Sequence, residues 1–399
     1  MVIAFAVIAA LIVTGAAAAY EHFNGNLRTT SLTAGGGDAT GDLAKPTPLT
    51  ILVLGSDSRA SAADCTIGGA CPTGTASPSA TGTAGPGNAD VEMLVHLSAD
   101  RTNASVTSIP RDTIVDIPQC TDQFTGKVVA AHRDRSNSTL NDGPNCTVAT
   151  VHQLTGVPID HFMVVDFSGV VQLSNAVGGV QICVSKDVYD PYSHLKLAAG
   201  NHTLKGLPAL EFLRTRHGFG DGSDLGRASA QHLFLSTMMR DVQSASTLLN
   251  PVTGYQVADA ATKALTVDDG LGSVDRLLQL GLQFNKIPAR STYFVTMPTV
   301  YDAQNRNVVL PGPSAAALFA KIAADQSLAP ARPRPSSTPS TSPTASPSPT
   351  STENAAPPAA ATTTGCAQVS TERTVTLNGM RMTPTEAFNQ SPRVPLSAP

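Results

Sequence analysis

The feature that most limits how this chain can fold is an alternation of two kinds of segment between residues 48 and 328. Apolar, strand-like runs fall at Leu49–Leu54, Val91–Leu97, Ala104–Ile109, Phe162–Val165, Val180–Val184 and Thr292–Thr296. Helical patterns fall at Cys146–Leu154, Gly169–Ala176, Leu207–Arg214, Leu225–Val242, Val257–Leu265 and Val274–Phe284. A strand with one wet face alternates apolar and polar side chains, whereas several of these runs are apolar throughout. Such strands need cover on both faces, and interspersed helices supply it. The expected fold is a three-layer α/β/α domain of about 280 residues without internal repeats.

The segments outside this region offer no second core. Val2–Ala19 holds 18 positions without a charge, near the lower limit for a membrane-spanning helix. Residues 1–20 are read as a transmembrane anchor, with a signal peptide cleaved at Ala16–Ala19 as the alternative. Either reading places the remaining chain outside the cytoplasm, and the first makes it a single-pass protein of the cell membrane. Residues 21–47 form a Gly/Thr/Ala-rich stalk. Residues 61–87 carry six glycines and one charge, Asp64, and read as a low-complexity surface insertion. Nine prolines lie between Pro330 and Pro358, so residues 329–365 cannot bury enough apolar surface to fold and form a disordered linker. The tail, 366–399, has 34 residues, too few for an independent core without a staple.

Six cysteines, an even number, suit an oxidising compartment. Cys65 and Cys71 are close enough to staple one loop, and Cys120 and Cys146 bracket another polar stretch. Cys183 and Cys366 are left over with no partner assigned. CxxC is absent and the histidines are scattered, which argues against a zinc site. A net charge of -4 argues against a nucleic-acid partner, which needs a basic excess to displace counterions. The absence of Trp and the 5% aromatic content argue against a base-stacking surface. The basic residues are 8 Lys and 18 Arg, and the guanidinium fork suits phosphate and carboxylate.

Four motifs bear on chemistry. Leu54-Gly55-Ser56-Asp57-Ser58-Arg59 follows a buried strand, and open α/β sheets bind ligands at the carboxyl ends of strands. Asp90 opens the strand Val91–Leu97, and with Asp57 it offers the hard oxygens that Mg²⁺ prefers when it bridges phosphates. Taken alone, Gly55-Ser56-Asp57 reads more simply as a turn, and Asp90 reads also as a solvated loop end. Ser108-Ile109-Pro110-Arg111-Asp112 again lies just past a strand. The fourth stretch holds Arg214, Arg216, Arg227 and Gln231 within 18 residues, with Asp224 as the expected N-cap of the following helix. Arg227 and Gln231 share a helix face, and Arg227 lies in a first turn that favours anions. Few acidic partners interleave, so an anion-binding site is the better reading of this block. GxSxG, the P-loop and HExxH are absent; Ser193-His194-Leu195-Lys196 matches SxxK, but SDN and KTG are missing.

In order, Gly55-Ser56-Asp57-Ser58-Arg59, Asp90–Leu97, Ser108–Thr113, Gly156–Phe162, Asp166-Phe167, Ala176–Val180 and the Arg214-to-Gln231 block resemble the LytR-CpsA-Psr family over about 50–245. The resemblance implies a central mixed sheet and a membrane-anchored, extracytoplasmic phosphotransferase. Such enzymes move a glycopolymer from a polyprenyl-pyrophosphate carrier to peptidoglycan, usually the 6-hydroxyl of N-acetylmuramic acid. A phosphodiester forms and polyprenyl phosphate leaves. By position, Asp57 and Asp90 match the acids that coordinate Mg²⁺, with Mn²⁺ as a substitute. Arg111, Arg214, Arg216, Arg227 and Gln231 match the residues around the pyrophosphate, and Arg111, Asp57 and Asp90 the catalytic set. Either Arg111 or a nearby Asp orients the attacking hydroxyl. The polyprenyl tail is expected in an apolar tunnel lined by Phe162, Val164 and the helix from Leu225. Asn88 departs from a frequent family Arg, and Asn137-Ser138-Thr139-Leu140 matches another family stretch only loosely. The alternatives are a lipid-pyrophosphate hydrolase and a non-catalytic polyprenyl-pyrophosphate binding or regulatory protein.

Overall fold

A seven-stranded sheet forms the middle layer, built from β1 (Arg28–Thr30), β2 (Leu49–Ser56), β3 (Ala89–Leu97), β4 (Ala104–Ile109), β5 (His161–Val165), β6 (Leu265–Asp268) and β7 (Thr292–Thr296). The computed structural model describes residues 14–15, 17–56, 87–243, 251–329 and 365–399. The strand order is β1-β6-β5-β2-β3-β4-β7. Neighbours β2/β3, β3/β4 and β5/β6 run antiparallel, while β1/β6, β2/β5 and β4/β7 run parallel, so the sheet is mixed as expected.

Among the described residues the helices include α1 (Pro144–Thr155), α2 (Phe167–Ala176), α3 (Leu207–Arg214), α4 (Asp224–Val242), α5 (Pro251–Ala264), α6 (Val274–Lys286), α7 (Ala315–Ala323) and α8 (Pro384–Gln390), and residues 17–26 are helical as well. Period-two alternation divides β2, β3, β4 and β5 between two cores. Leu52, Leu54, Leu94, Phe162 and Val164 pack with Val148 and Val151 of α1 and Phe319 and Ile322 of α7. Ile51, Met93, Val95, Val106, Val267 and Phe294 face the other way, toward Leu280 of α6. Each such side chain, fully buried, stabilises the fold by about 1.5–3 kcal/mol. A third core joins Val180, Ile182 and Val184 to Phe212 of α3 and Phe234 of α4.

Several local expectations are corrected. The strand Val180–Val184 lies outside the central sheet and pairs with Gly200–Leu204 in an antiparallel ribbon. Val180, Ile182 and Val184 are buried while Gln181 is exposed, so only one face is covered. The pattern at Val257–Leu265 divides into the end of α5 and the start of β6. The N-cap of α4 is Ser223, whose side chain accepts from the Leu225 amide at 3.1 Å; Asp224 is the first helical residue. α2 starts where the Asp166 carboxylate accepts from the Gly169 amide at 2.8 Å. Gly169 serves a second purpose: a Cβ there would stand 2.8 Å from the Ala264 Cβ, so glycine lets α2 and α5 approach.

The folded unit also exceeds its expected bounds. β1 falls within 21–47, read above as stalk, and forms one edge of the sheet. Disulfides join Cys120 to Cys146 and Cys183 to Cys366, the second tying the tail to the ribbon. Val375–Leu377 pairs with Met380–Met382 as a short hairpin. Most of Val2–Ala19, almost all of 61–87 with Cys65 and Cys71, and most of 329–365 lie outside the described residues. Among the described residues, no helix is long and apolar enough to cross a membrane.

Candidate active site

The site assembles where β2, β4 and β5 end and β3 begins, because β3 runs antiparallel to β2 and β4 while β5 runs parallel to β2. At this edge the β2/β3 register slips: Gly55 faces Val91 but Ser56 faces Ala89, leaving Asp90 as the extra residue of a bulge. Bulges re-aim a side chain out of the ladder, here at the sheet edge. Gly55 makes the close approach tolerable, since a Cβ there would sit 2.9 Å from the Val91 Cβ. Asp57, one residue beyond β2, lies outside the described residues.

Arg111, two residues past β4, forms an ion pair with the Asp90 carboxylate. Arg227 in the first turn of α4 donates to the Asp90 carbonyl at 3.3 Å, and Gln231 one turn later donates to the Leu213 carbonyl at 3.0 Å. That second bond joins α4 to the end of α3, where the Arg214 guanidinium lies 4.7 Å from the centre of the Phe167 ring. The buried Asp112 carboxylate stands 3.7 Å from Arg111, 3.8 Å from Arg216 and 3.4 Å from Arg135. The structure thus gathers Asp90, Arg111, Arg214, Arg216, Arg227 and Gln231 at one end of the sheet. It adds two residues the sequence reading missed in these roles. Asp112 balances three guanidinium groups from below, and Arg135 arrives on a separate ribbon that pairs Ile114–Ile117 with His132–Arg135. Among the described residues, five arginines stand against Asp90, Asp112 and Asp166, a net positive charge suited to a polyanion.

Behind the charged groups lies a cavity of about 180 Å³. Val53 and Met93 of the sheet, Val170 and Leu173 of α2, and Phe234 and Leu235 of α4 give it an apolar wall. Asp90, Arg214, Arg227 and Gln231 line the same cavity, so the anion site and the apolar space are continuous. α4 contributes as expected, but Phe162 and Val164 do not. They point to the opposite face and pack against α1, because alternation sends Met163 and Val165 toward the cavity side.

Asp90 offers a hard oxygen at the mouth of this cavity, which fits an ion that keeps water and phosphate oxygens as its other ligands. Among the described residues the metal-type cluster is Cys120, Asp142 and Cys146, and the disulfide consumes both thiols. The SxxK match is structural: Lys196 donates to the Val394 carbonyl at 2.7 Å, and Ser193 shares a hydrogen bond with Thr215 at 2.7 Å. Asn88 accepts from the Asn141 side chain at 2.9 Å at the same edge of the sheet. Residues 137–140 form part of the 3-10 helix Ser136–Asp142.

This arginine-lined end of a mixed sheet, opening on an apolar cavity, lies within the span matched by the model of the LytR_cpsA_psr family. The model of that family matches residues 13–322, and the chain belongs to it. Over 267 residues it is 30% identical to the cell wall biosynthesis protein LcpA of Corynebacterium glutamicum, covering 62% of this chain and 49% of that one. Over 166 residues it is 31% identical to the polyisoprenyl-teichoic acid–peptidoglycan teichoic acid transferase TagT of Bacillus subtilis, covering 40% and 47% of the two chains. The chain spans about half the length of these curated relatives. The solved LytR-Csp2A-Psr enzyme from Actinomyces oris shares the fold, with a TM-score of 0.54 at 22% identity over 75% of this chain and 96% of that one.

Proposed function

We propose that this protein transfers a glycopolymer from a polyprenyl-pyrophosphate carrier to peptidoglycan, acting outside the cytoplasm from a membrane anchor within residues 1–20. The observation that carries the reading is the continuity of the arginine cluster with the apolar cavity. A donor with a pyrophosphate head and a long hydrocarbon tail needs both surfaces side by side. The name of the TagT relative, a transferase between a polyisoprenyl-linked polymer and peptidoglycan, supports the same assignment.

In this reading Arg111, Arg214, Arg216 and Arg227 grip the pyrophosphate, with Gln231 holding α3 and α4 in register. The acceptor hydroxyl attacks the sugar-side phosphorus as its proton passes to a neighbouring carboxylate and on to water. The bridging P–O bond breaks, and polyprenyl phosphate departs with the electron pair. Negative charge shifts to the leaving phosphate, where preorganised guanidinium groups stabilise it. Asp57 and Asp90 would hold Mg²⁺, or Mn²⁺ in its place, which neutralises phosphate charge when bound.

The test is Mg²⁺-dependent release of polyprenyl phosphate from a labelled lipid-linked donor, with and without peptidoglycan. Arg111→Ala is expected to lower the rate by roughly 10²–10³, and label should enter the polymer. Undiminished activity in Arg111→Ala would sink the catalytic assignment. Release that never transfers label would make the protein a hydrolase, and binding without release a non-catalytic carrier.

A further inference from the structure

Between α3 and α4 the chain carries Arg216 and then three glycines in five residues, Gly218, Gly220 and Gly222. Gly220 and Gly222 adopt positive φ, 57° and 74°. Such a loop has much backbone freedom to lose before its arginine can hold a fixed direction. On one flank the buried Asp190 carboxylate accepts from the His217 amide at 3.1 Å. The other flank is covered by the C-terminal segment. The Ser370 amide donates to the Gly218 carbonyl at 2.9 Å, and the Gly220 amide to the Gln368 carbonyl at 2.9 Å. The Thr374 hydroxyl donates to the His217 carbonyl at 2.6 Å. Phe219 and Val369 bridge in the antiparallel sense, and both are buried in one core with Ala367. Contact is close enough that a Cβ on Gly222 would stand 2.2 Å from the Thr374 methyl.

The segment is itself fastened at both ends. Cys366 is bonded to Cys183 of the ribbon, and Ala367 donates to the Cys183 carbonyl at 2.8 Å. Further on, Val375, Met382 and Ala387 bury against Tyr189, and Thr385 donates to the Asp187 carbonyl at 2.7 Å. A chain held on both sides of a glycine-rich loop restrains that loop.

We propose that residues 366–382 are a strap that sets the geometry of the Arg216 loop, with Thr374 and the Cys183–Cys366 bond as positioning groups for pyrophosphate binding. The proposal rests on the pyrophosphate reading of the arginine site. The strap's hydrogen bonds to the loop go to its backbone, and Ala367 and Val369 pack on Phe219, so it acts through Arg216 and the start of α4. Its effect belongs to affinity for the anion and to KM for the donor, with kcat less affected.

Calorimetric titration of the full chain with inorganic pyrophosphate tests it. Thr374→Val keeps the shape and removes the donor, and is expected to weaken binding roughly three- to ten-fold. Thr374→Ser restores the hydroxyl and is expected to restore affinity. Thr203→Val removes a bond that the Gln181 side chain makes at 2.7 Å on the ribbon, away from both strap and loop, and is expected to bind like the wild type. The Cys183→Ser/Cys366→Ser double variant, losing the tether, should bind roughly ten-fold or more weakly. Wild-type affinity in both Thr374→Val and the untethered protein overturns the proposal, as does equal weakening by Thr203→Val. A wild-type chain that does not bind pyrophosphate overturns the strap together with the site reading, whereas a binding wild type with unaffected variants overturns the strap alone.

Discussion

His232 illustrates how one side chain ties the arginine-bearing elements together. It follows Gln231 on α4, and its Nε2 lies 2.6 Å from the Ser108 hydroxyl, three residues ahead of Arg111. One bond therefore joins the two elements that deliver Arg111 and Arg227. Burial pushes the imidazole pKa from 6.5 down to about 4. The unfolded chain binds the extra proton between those values, so stability is full above the unfolded pKa and declines as pH falls toward the folded one. Urea titrations at pH 7 and pH 4 should differ by up to about 3 kcal/mol from this residue. His232→Gln is expected to flatten that part of the slope; an unchanged slope would remove His232 as its source. At this scale the arginine block was legible because Arg214, Arg216, Arg227 and Gln231 crowd a helix start with few acids between them. Asp112 and Arg135 were not legible as partners, because 22 intervening residues and a separate ribbon bring them together.

Among the elements, α2 and α4 decide what the site can hold, since both turn apolar side chains toward one face of the sheet. Val170 on α2 lines the cavity without touching the ion pairs. Val170→Trp is expected to fill the space and raise KM for a long-chain prenyl donor roughly ten-fold, at a cost in fit typical of overpacking. Pyrophosphate affinity, measured by calorimetry, should stay within about two-fold of wild type, because the charged groups are untouched. Equal loss for both ligands would contradict a separate tail site. The strands themselves were readable from their apolar runs, yet the choice of Phe162 and Val164 as cavity residues was wrong by one position. In a strand buried on both faces, both parities look apolar, so the sequence does not say which helical layer each one meets. Val180–Val184 went to the wrong sheet for a different reason: one polar position, Gln181, is all that marks its uncovered face in the sequence.

For the molecule as a whole, covalent closure matters because glycine- and proline-rich stretches separate the folded parts. The Cys120–Cys146 bond closes a separation of 26 residues across the edge ribbons. Cys120→Ala/Cys146→Ala is expected to lower the unfolding free energy by roughly 3–4 kcal/mol in denaturant titration, and a loss below about 1 kcal/mol would show that packing alone holds this edge. The sequence by itself determined the α/β class, the cluster of arginines at strand and helix ends, and the family. These rest on local periodicity and on residue types whose chemistry is narrow. Only the tertiary structure decided that Asp112 underlies three arginines, that β1 and the tail belong to the folded unit, and that Cys183 pairs with Cys366. Each of those joins residues far apart in the chain, where spacing carries no distance information and the packing of the layers sets the contact.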